Sequence, residues 1–175
     1  MKKIFLIALA VVLLGGAGIY IYLGGLNSVE ISVDEINGYQ IAGREFKGNT
    51  DAKEIEEYFF EAKEYAQSGE LKGVLTIVHY NDTTLAKKET RLFIGVTLDE
   101  FSGTLPSNYI MLNIDCEKVV RATVEAHNAV IPGPETIEAR MAEKAKQEGL
   151  SIEVYTIEKY VSSNILEIDS PVKGN

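Results

Sequence analysis

The stretch KEIEEYFFEAKEYAQSGELKGVLTIVHYNDTTLAKKETRLFIGVTL (53–98) reads as a helix followed by a hairpin. Within TDAKEIEEYFFEAKEYAQSG (50–69), Ile55, Phe59, Ala62 and Ala66 recur at helical spacing and define one apolar face. Asp51 followed by Glu54 has the spacing of a capping box, with Asp in place of Ser or Thr, and Gly69 is placed to end the helix. GVLTIVHY (73–80) and TRLFIGVTL (90–98) are strand-like runs joined by a polar segment, as in an antiparallel pair.

Outward from this core the pattern repeats. Upstream, VEISVDEI (29–36) alternates apolar and polar residues as a half-buried strand does, and after Asn37-Gly38 the segment YQIAGREFKG (39–48) extends or continues it. Downstream, residues 109–131 are strand-like until Pro132-Gly133-Pro134, where Pro134 suits a first helical turn. ETIEARMAEKAKQEG (135–149) then places Ile137, Met141 and Ala145 on one face, and LSIEVYTIEKYV (150–161) with ILEIDSPVK (165–173) forms a closing pair of strands. The order is β-α-β-β twice. Tyr80 lies eleven residues after Gly69, and Tyr160 lies eleven after Gly149, which fits a duplication. The expected fold is α+β, a duplicated βαββ repeat forming a curved antiparallel sheet with two helices.

Residues 1–25, MKKIFLIALAVVLLGGAGIYIYLGG, form a separate unit. Ile4–Leu23 is free of charge and long enough to span a bilayer. Lys2 and Lys3 in front of it place the N-terminus in the cytoplasm and residues 26–175 outside. The expectation is therefore one N-terminal transmembrane helix, contacting the lipid bilayer through residues 4–23, and one domain over 26–175. A cleaved secretory signal is the competing reading, against which the apolar run continues through Leu23 with no clean small-x-small site.

The chain carries 17 basic and 26 acidic residues, a net charge of −9. That balance repels nucleic acid and favours a cationic small ligand or a basic partner. Cys116 stands alone, so no intramolecular disulfide is available, and it reads as a small apolar filler on a strand. His79 and His127 lack metal-ligand spacing, and no phosphate loop or hydrolase elbow is present, so no metal and no cofactor is implied. Asn81-Asp82-Thr83 is a formal glycosylation sequon that reads as a chance match. Glu158 is the sharpest signal. On one unbroken strand over 150–160 it would close a face made by Leu150, Ile152, Val154, Thr156 and Tyr160. Such a carboxylate is either solvated at a sheet edge or turned toward a cavity, where desolvation would raise its pKa.

The segment IEKYVSSNILEIDSPVK (157–173) resembles the closing hairpin of GyrI-like domains, the bacterial transcription-activator effector-binding domains. The resemblance rests on Glu158-Lys159-Tyr160, on Pro171-Val172-Lys173, and on HYND (79–82) as a Tyr-x-Asp segment, and it extends over residues 29–173. It implies a SOUL/GyrI-like pseudo-twofold sheet with an aromatic-lined cleft, in which Glu158 and Tyr160 bind a small organic, cationic or polar ligand. Tyr80, Tyr109 and Phe93 are its further lining candidates. The chain departs from the family in two ways. The apolar segment stands where a DNA-binding helix-turn-helix would, and there is no Trp. The reading is a membrane-tethered small-molecule-binding module. Two alternatives accompany it: a hydrolase of strained electrophiles with Glu158 as general base, and a membrane adaptor that holds a protein partner.

Overall fold

The period-two pattern of VEISVDEI becomes β1 (Glu30–Glu35) in the structure, a computed structural model that describes residues 29–100, 103–125 and 131–174 together with 16, 18, 19, 22 and 23. It is followed by β2 (Tyr39–Asn49), α1 (Lys53–Ser68), β3 (Gly73–Tyr80) and β4 (Glu89–Leu98). The second half supplies β5 (Ile110–Ile114), β6 (Lys118–Glu125), α2 (Pro134–Gln147), β7 (Tyr155–Tyr160) and β8 (Ile165–Pro171).

Each half thus has one strand more than the expected βαββ. Gly38, in the left-handed region at φ 72°, interrupts the extended run, so β1 and β2 are separate strands that do not pair with each other. The run 109–131 is likewise broken at Asp115-Cys116-Glu117, which puts Cys116 in a turn rather than on a strand. Two further expectations are corrected. Asp51 does not cap α1: the cap position is Ala52, and the Asp51 amide donates to Asn49 Oδ1 at 2.9 Å. Residues 150–160 are not one strand either, because β7 begins only at Tyr155 and Ile152 makes an isolated bridge to Val172. The other helix signals are met. Gly69 ends α1 at φ 76°, Pro134 stands in the first turn of α2, and Ile137, Met141 and Ala145 form its buried row. Most of the 4–23 segment lies outside the described residues, and among those described no helix is long and apolar enough to cross a membrane.

The eight strands form one antiparallel sheet in the order β1-β6-β8-β7-β3-β4-β2-β5. The order is unchanged when the two halves are interchanged, so a pseudo-twofold axis runs through the β3–β7 seam. The halves also exchange their first strands: β1 pairs with β6 of the second half, and β5 pairs with β2 of the first. One sheet face carries the helices. α1 packs on β2, β3 and β4 through Ile55, Phe59, Ala62 and Ala66, and α2 packs on β1 and β6.

The other face has no helix over it among the described residues, yet Ile41, Val78, Val119 and Ile157 are fully buried there. The sheet covers this face by curling on itself. Tyr39 on β2 and Asp169 on β8 stand four strands apart in the order, roughly 19 Å on a flat sheet. Their side chains nevertheless meet across the interior, with the Tyr39 hydroxyl donating to Asp169 Oδ2 at 2.6 Å. Arg121 binds the same carboxylate at 2.7 and 3.0 Å, and Lys159 reaches it at 2.9 Å. Burial alone would raise the Asp169 pKa, but its bonds to Arg121, Tyr39 and Lys159 together with the Lys159 charge hold it below the ordinary Asp value. Curvature this tight also requires Gly43 and Gly95, which oppose each other on the interior face. A Cβ on Gly95 would collide with the Ala42 carbonyl oxygen, and one on Gly43 with that of Ile94.

Two outcomes test this closure. Gly95→Ala is expected to destabilise the protein by about 1–3 kcal/mol, the range for overpacking, measured by urea denaturation. Asp169→Asn leaves Arg121 and Lys159 without their shared anion and should cost about 3–5 kcal/mol at neutral pH. Asp169 has a depressed pKa in the folded state. Its contribution is therefore present above its unfolded value of about 3.9 and is lost as pH falls through the folded value. The variant's deficit should accordingly shrink in strong acid.

Candidate functional site: a carboxylate groove between the helices

On β3 the residues facing the helices are Leu75, Ile77 and His79; on β7 they are Thr156, Glu158 and Tyr160. α1 packs on β2–β4 and α2 on β1 and β6, so β7 and β8 lie between the strands that the two helices contact. Tyr160 packs against both helical cores, with its ring edge-on to Phe59 of α1 at a centroid distance of 5.3 Å. Ile168, opposite Glu158 on β8, belongs to the α2 side. Phe60, next to Phe59, is exposed.

Glu158 stands on this part of the sheet with its side chain 21% exposed. Its Oε2 lies 2.8 Å from His79 Nε2, one diagonal step across the β3–β7 seam, and the Tyr160 hydroxyl donates to the same carboxylate. Burial by itself would raise the Glu158 pKa. The bond from His79, the His79 charge and the bond from Tyr160 outweigh it and hold the carboxyl below the usual range. Burial and the neighbouring anion drive the Tyr160 phenol upward, so it stays a donor. The site is therefore a fixed, hydrogen-bonded anion beside aromatic rings. The raised pKa that the sequence reading attached to a cavity-facing carboxylate is corrected: desolvation is present, but two partners overcome it.

The structure brings together only some of the predicted residues. Glu158 and Tyr160 are neighbours. Tyr80 and Phe93 face the opposite side of the sheet, inside the curl, where Tyr80 meets Tyr155 and the Arg91 guanidinium. The eleven-residue match of Tyr80 with Tyr160 is out of phase, because a strand shifted by one residue turns every side chain to the other face. Tyr109 is on the helix face but at the entry to β5, four strands from β7, and packs edge-on to Tyr65 at 5.2 Å. Its buried hydroxyl has no hydrogen-bond partner among the described residues. His79 is the residue that sequence reasoning missed. Its alternation with Ile77 and Leu75 was visible, but its meeting with Glu158 depends on the β3–β7 register, which no local pattern specifies. His127 lies outside the described residues. A separate open hollow of about 1130 Å³ lies beside the β1–β2 and β5–β6 turns, lined by Asn37, Asp115, Cys116 and Leu150 among others. No aromatic ring and none of the predicted site residues borders it.

Comparison with solved structures places this architecture. The fold is similar to that of the EcmrR C-terminal domain. That structure has 13% sequence identity and a TM-score of 0.57, over 84% of this chain and 99% of the other. SAV2435 bound to tetraphenylphosphonium is similar at 14% identity and a TM-score of 0.53, over 83% and 94%. A hydrolase from Listeria innocua is also similar, at 12% identity and a TM-score of 0.55, over 82% and 92%. No protein-family model matches the chain, and a comparison with curated proteins finds no match.

The electrostatics give a direct outcome. Because the folded Glu158 pKa is depressed, its stabilisation is present above the unfolded value of about 4.3 and disappears as pH falls through the folded value. Glu158→Gln is expected to lower stability by about 1–3 kcal/mol at neutral pH and to flatten the acid side of the curve of melting temperature against pH.

Proposed function

We propose that this protein is a membrane-tethered binding module that captures small organic cations in the groove between α1 and α2. The observation that carries the reading is Glu158: an anion kept ionised by its own partners, partly open to solvent, and flanked by the Tyr160 and Phe59 rings. A delocalised organic cation would gain both charge pairing and ring contact there, and would release weakly held water rather than a tight hydration shell. The net charge of −9 steers cations toward the domain. The fold shared with SAV2435, solved with tetraphenylphosphonium, supports the same class of ligand. Tethering rests on the uncharged 4–23 segment behind Lys2 and Lys3. Within that segment Ile19 and Tyr22 are exposed rather than packed on the domain.

The general-base reading of Glu158 fares less well. A base works best with a pKa near the operating pH, and the Glu158 carboxyl is held in the other direction. As an anion that stays charged, it is better suited to holding a cation than to taking a proton.

Equilibrium dialysis of the detergent-solubilised protein against tetraphenylphosphonium is expected to show saturable binding that Glu158→Gln weakens at least about tenfold, a change of about 1.4 kcal/mol. Equal binding by the two proteins would exclude Glu158 as the anchor. The tether is tested by alkaline extraction of membranes, from which the full chain should not be released.

A further inference from the structure

The two partners of Glu158 differ in kind. Tyr160 offers a neutral hydroxyl from the same strand, whereas His79 offers an imidazole from the neighbouring one. A neutral ring can donate its Nε2–H to the carboxylate and leave the negative charge in place; an imidazolium cancels it. We propose that His79 is the specificity-determining residue of the groove: it competes with an external cation for Glu158, so that a cation enters by expelling a proton from His79, while an uncharged ligand does not. The proposal rests on the reading of Glu158 as the ligand's anchor.

The geometry supports a proton that is exchangeable rather than locked in. The His79 side chain is 37% exposed, and its Nδ1 has no hydrogen-bond partner among the described residues. Few other ionisable groups compete for the role. Directly across from His79 stand Leu92 on β4 and Thr156 on β7, and Ile168 faces Glu158 from β8. The sheet-facing row of α1 near the groove is Ile55, Phe59 and Ala62. On the same helix Glu61 is paired with Arg44 at 2.9 Å, and Arg44 in turn covers the Tyr58 ring. The ionisable groups facing the imidazole from these elements are therefore Glu158 and Tyr160, the second of which burial keeps as a neutral phenol. A positive ligand within contact distance of Glu158 would place a second cation beside His79. Like charges so close are unfavourable, and the proton, being exchangeable, is the one that leaves. Linkage makes the coupling reciprocal: acid expels the cation as the cation expels the proton.

The test is the pH dependence of tetraphenylphosphonium binding by the full chain in detergent. Between neutral pH and mild acid, the dissociation constant should weaken by up to about tenfold for each pH unit lowered, the limit for one linked proton. Calorimetry in buffers of different ionisation enthalpy should register up to one proton released per cation bound. His79→Gln, which keeps a side-chain donor for Glu158, should abolish the slope and bind more tightly than the wild type at the acid end. His127→Gln should retain the slope. Triphenylphosphine oxide, an uncharged analogue, should bind without proton release. Binding that depends on Glu158 but shows no slope, or a slope that survives in His79→Gln, would overturn the role of His79 and leave the anchor intact. Indifference to Glu158→Gln would instead remove the anchor. Should His79→Gln fail to fold, the wild-type proton count decides alone.

Discussion

One face of the sheet has no helix over it among the described residues, and the structure depends on how that face is kept dry. The solution is a charged one. Tyr39 and Asp169, distant in strand order, are joined across the interior, and Arg121 and Lys159 close around the same carboxylate. A buried anion is tolerable here because both of its oxygens receive hydrogen bonds or cations, and the donors come from β2, β6 and β7. The contact therefore fixes curvature as well as charge. Any flattening of the sheet would pull Tyr39 away and leave Asp169 with fewer donors in a dry interior. Gly43 and Gly95 provide the backbone room that makes the curl possible.

The helix-bearing face follows from the same topology. With α1 on β2–β4 and α2 on β1 and β6, strands β7 and β8 lie between the two helices, and β7 meets β3 at the pseudo-twofold seam. His79, Glu158 and Tyr160 are placed there by strand alternation on rigid, fully paired strands, which is the kind of support that keeps a polar constellation in register. The interior and groove-floor carboxylates are contrasting cases of one rule. Asp169 is wholly buried and surrounded by cations and a phenol, so its charge is spent on structure. Glu158 has fewer partners and a view of solvent, so some of its field remains available.

Much of the fold was legible because it is written in local patterns. The helical row of Ile55, Phe59 and Ala62, the Pro134 start, the glycine at the end of α1 and the 73–98 hairpin are each set by residues within a few turns of one another. What escaped the sequence was set at a distance. The division of 109–131 into two strands depends on the exchange of β5 to the far edge of the sheet. The facing of Tyr80 and Phe93 depends on strand phase, and the irregular backbone at 150–154 shifts that phase between the two halves. The site was half visible for the same reason. Glu158 and Tyr160 are two apart on one strand and must share a face, whereas His79 reaches Glu158 only through a pairing across 79 positions of chain.

The exchanged edge strands also bear on how the chain reaches this state. Glu30 pairs with Thr123 and Glu35 with Lys118, so the first strand to be synthesised has no partner until more than half of the domain exists. Neither half is a closed unit: each lacks an edge strand that the other carries. The two halves are interlocked rather than adjacent. Contacts of such wide sequence separation slow folding, since a long loop must close before any pairing rewards it. During that interval β1 is an unpaired strand, and its sequence protects it. Glu30, Asp34 and Glu35 keep the waiting segment charged, and like charges discourage two nascent chains from pairing through it.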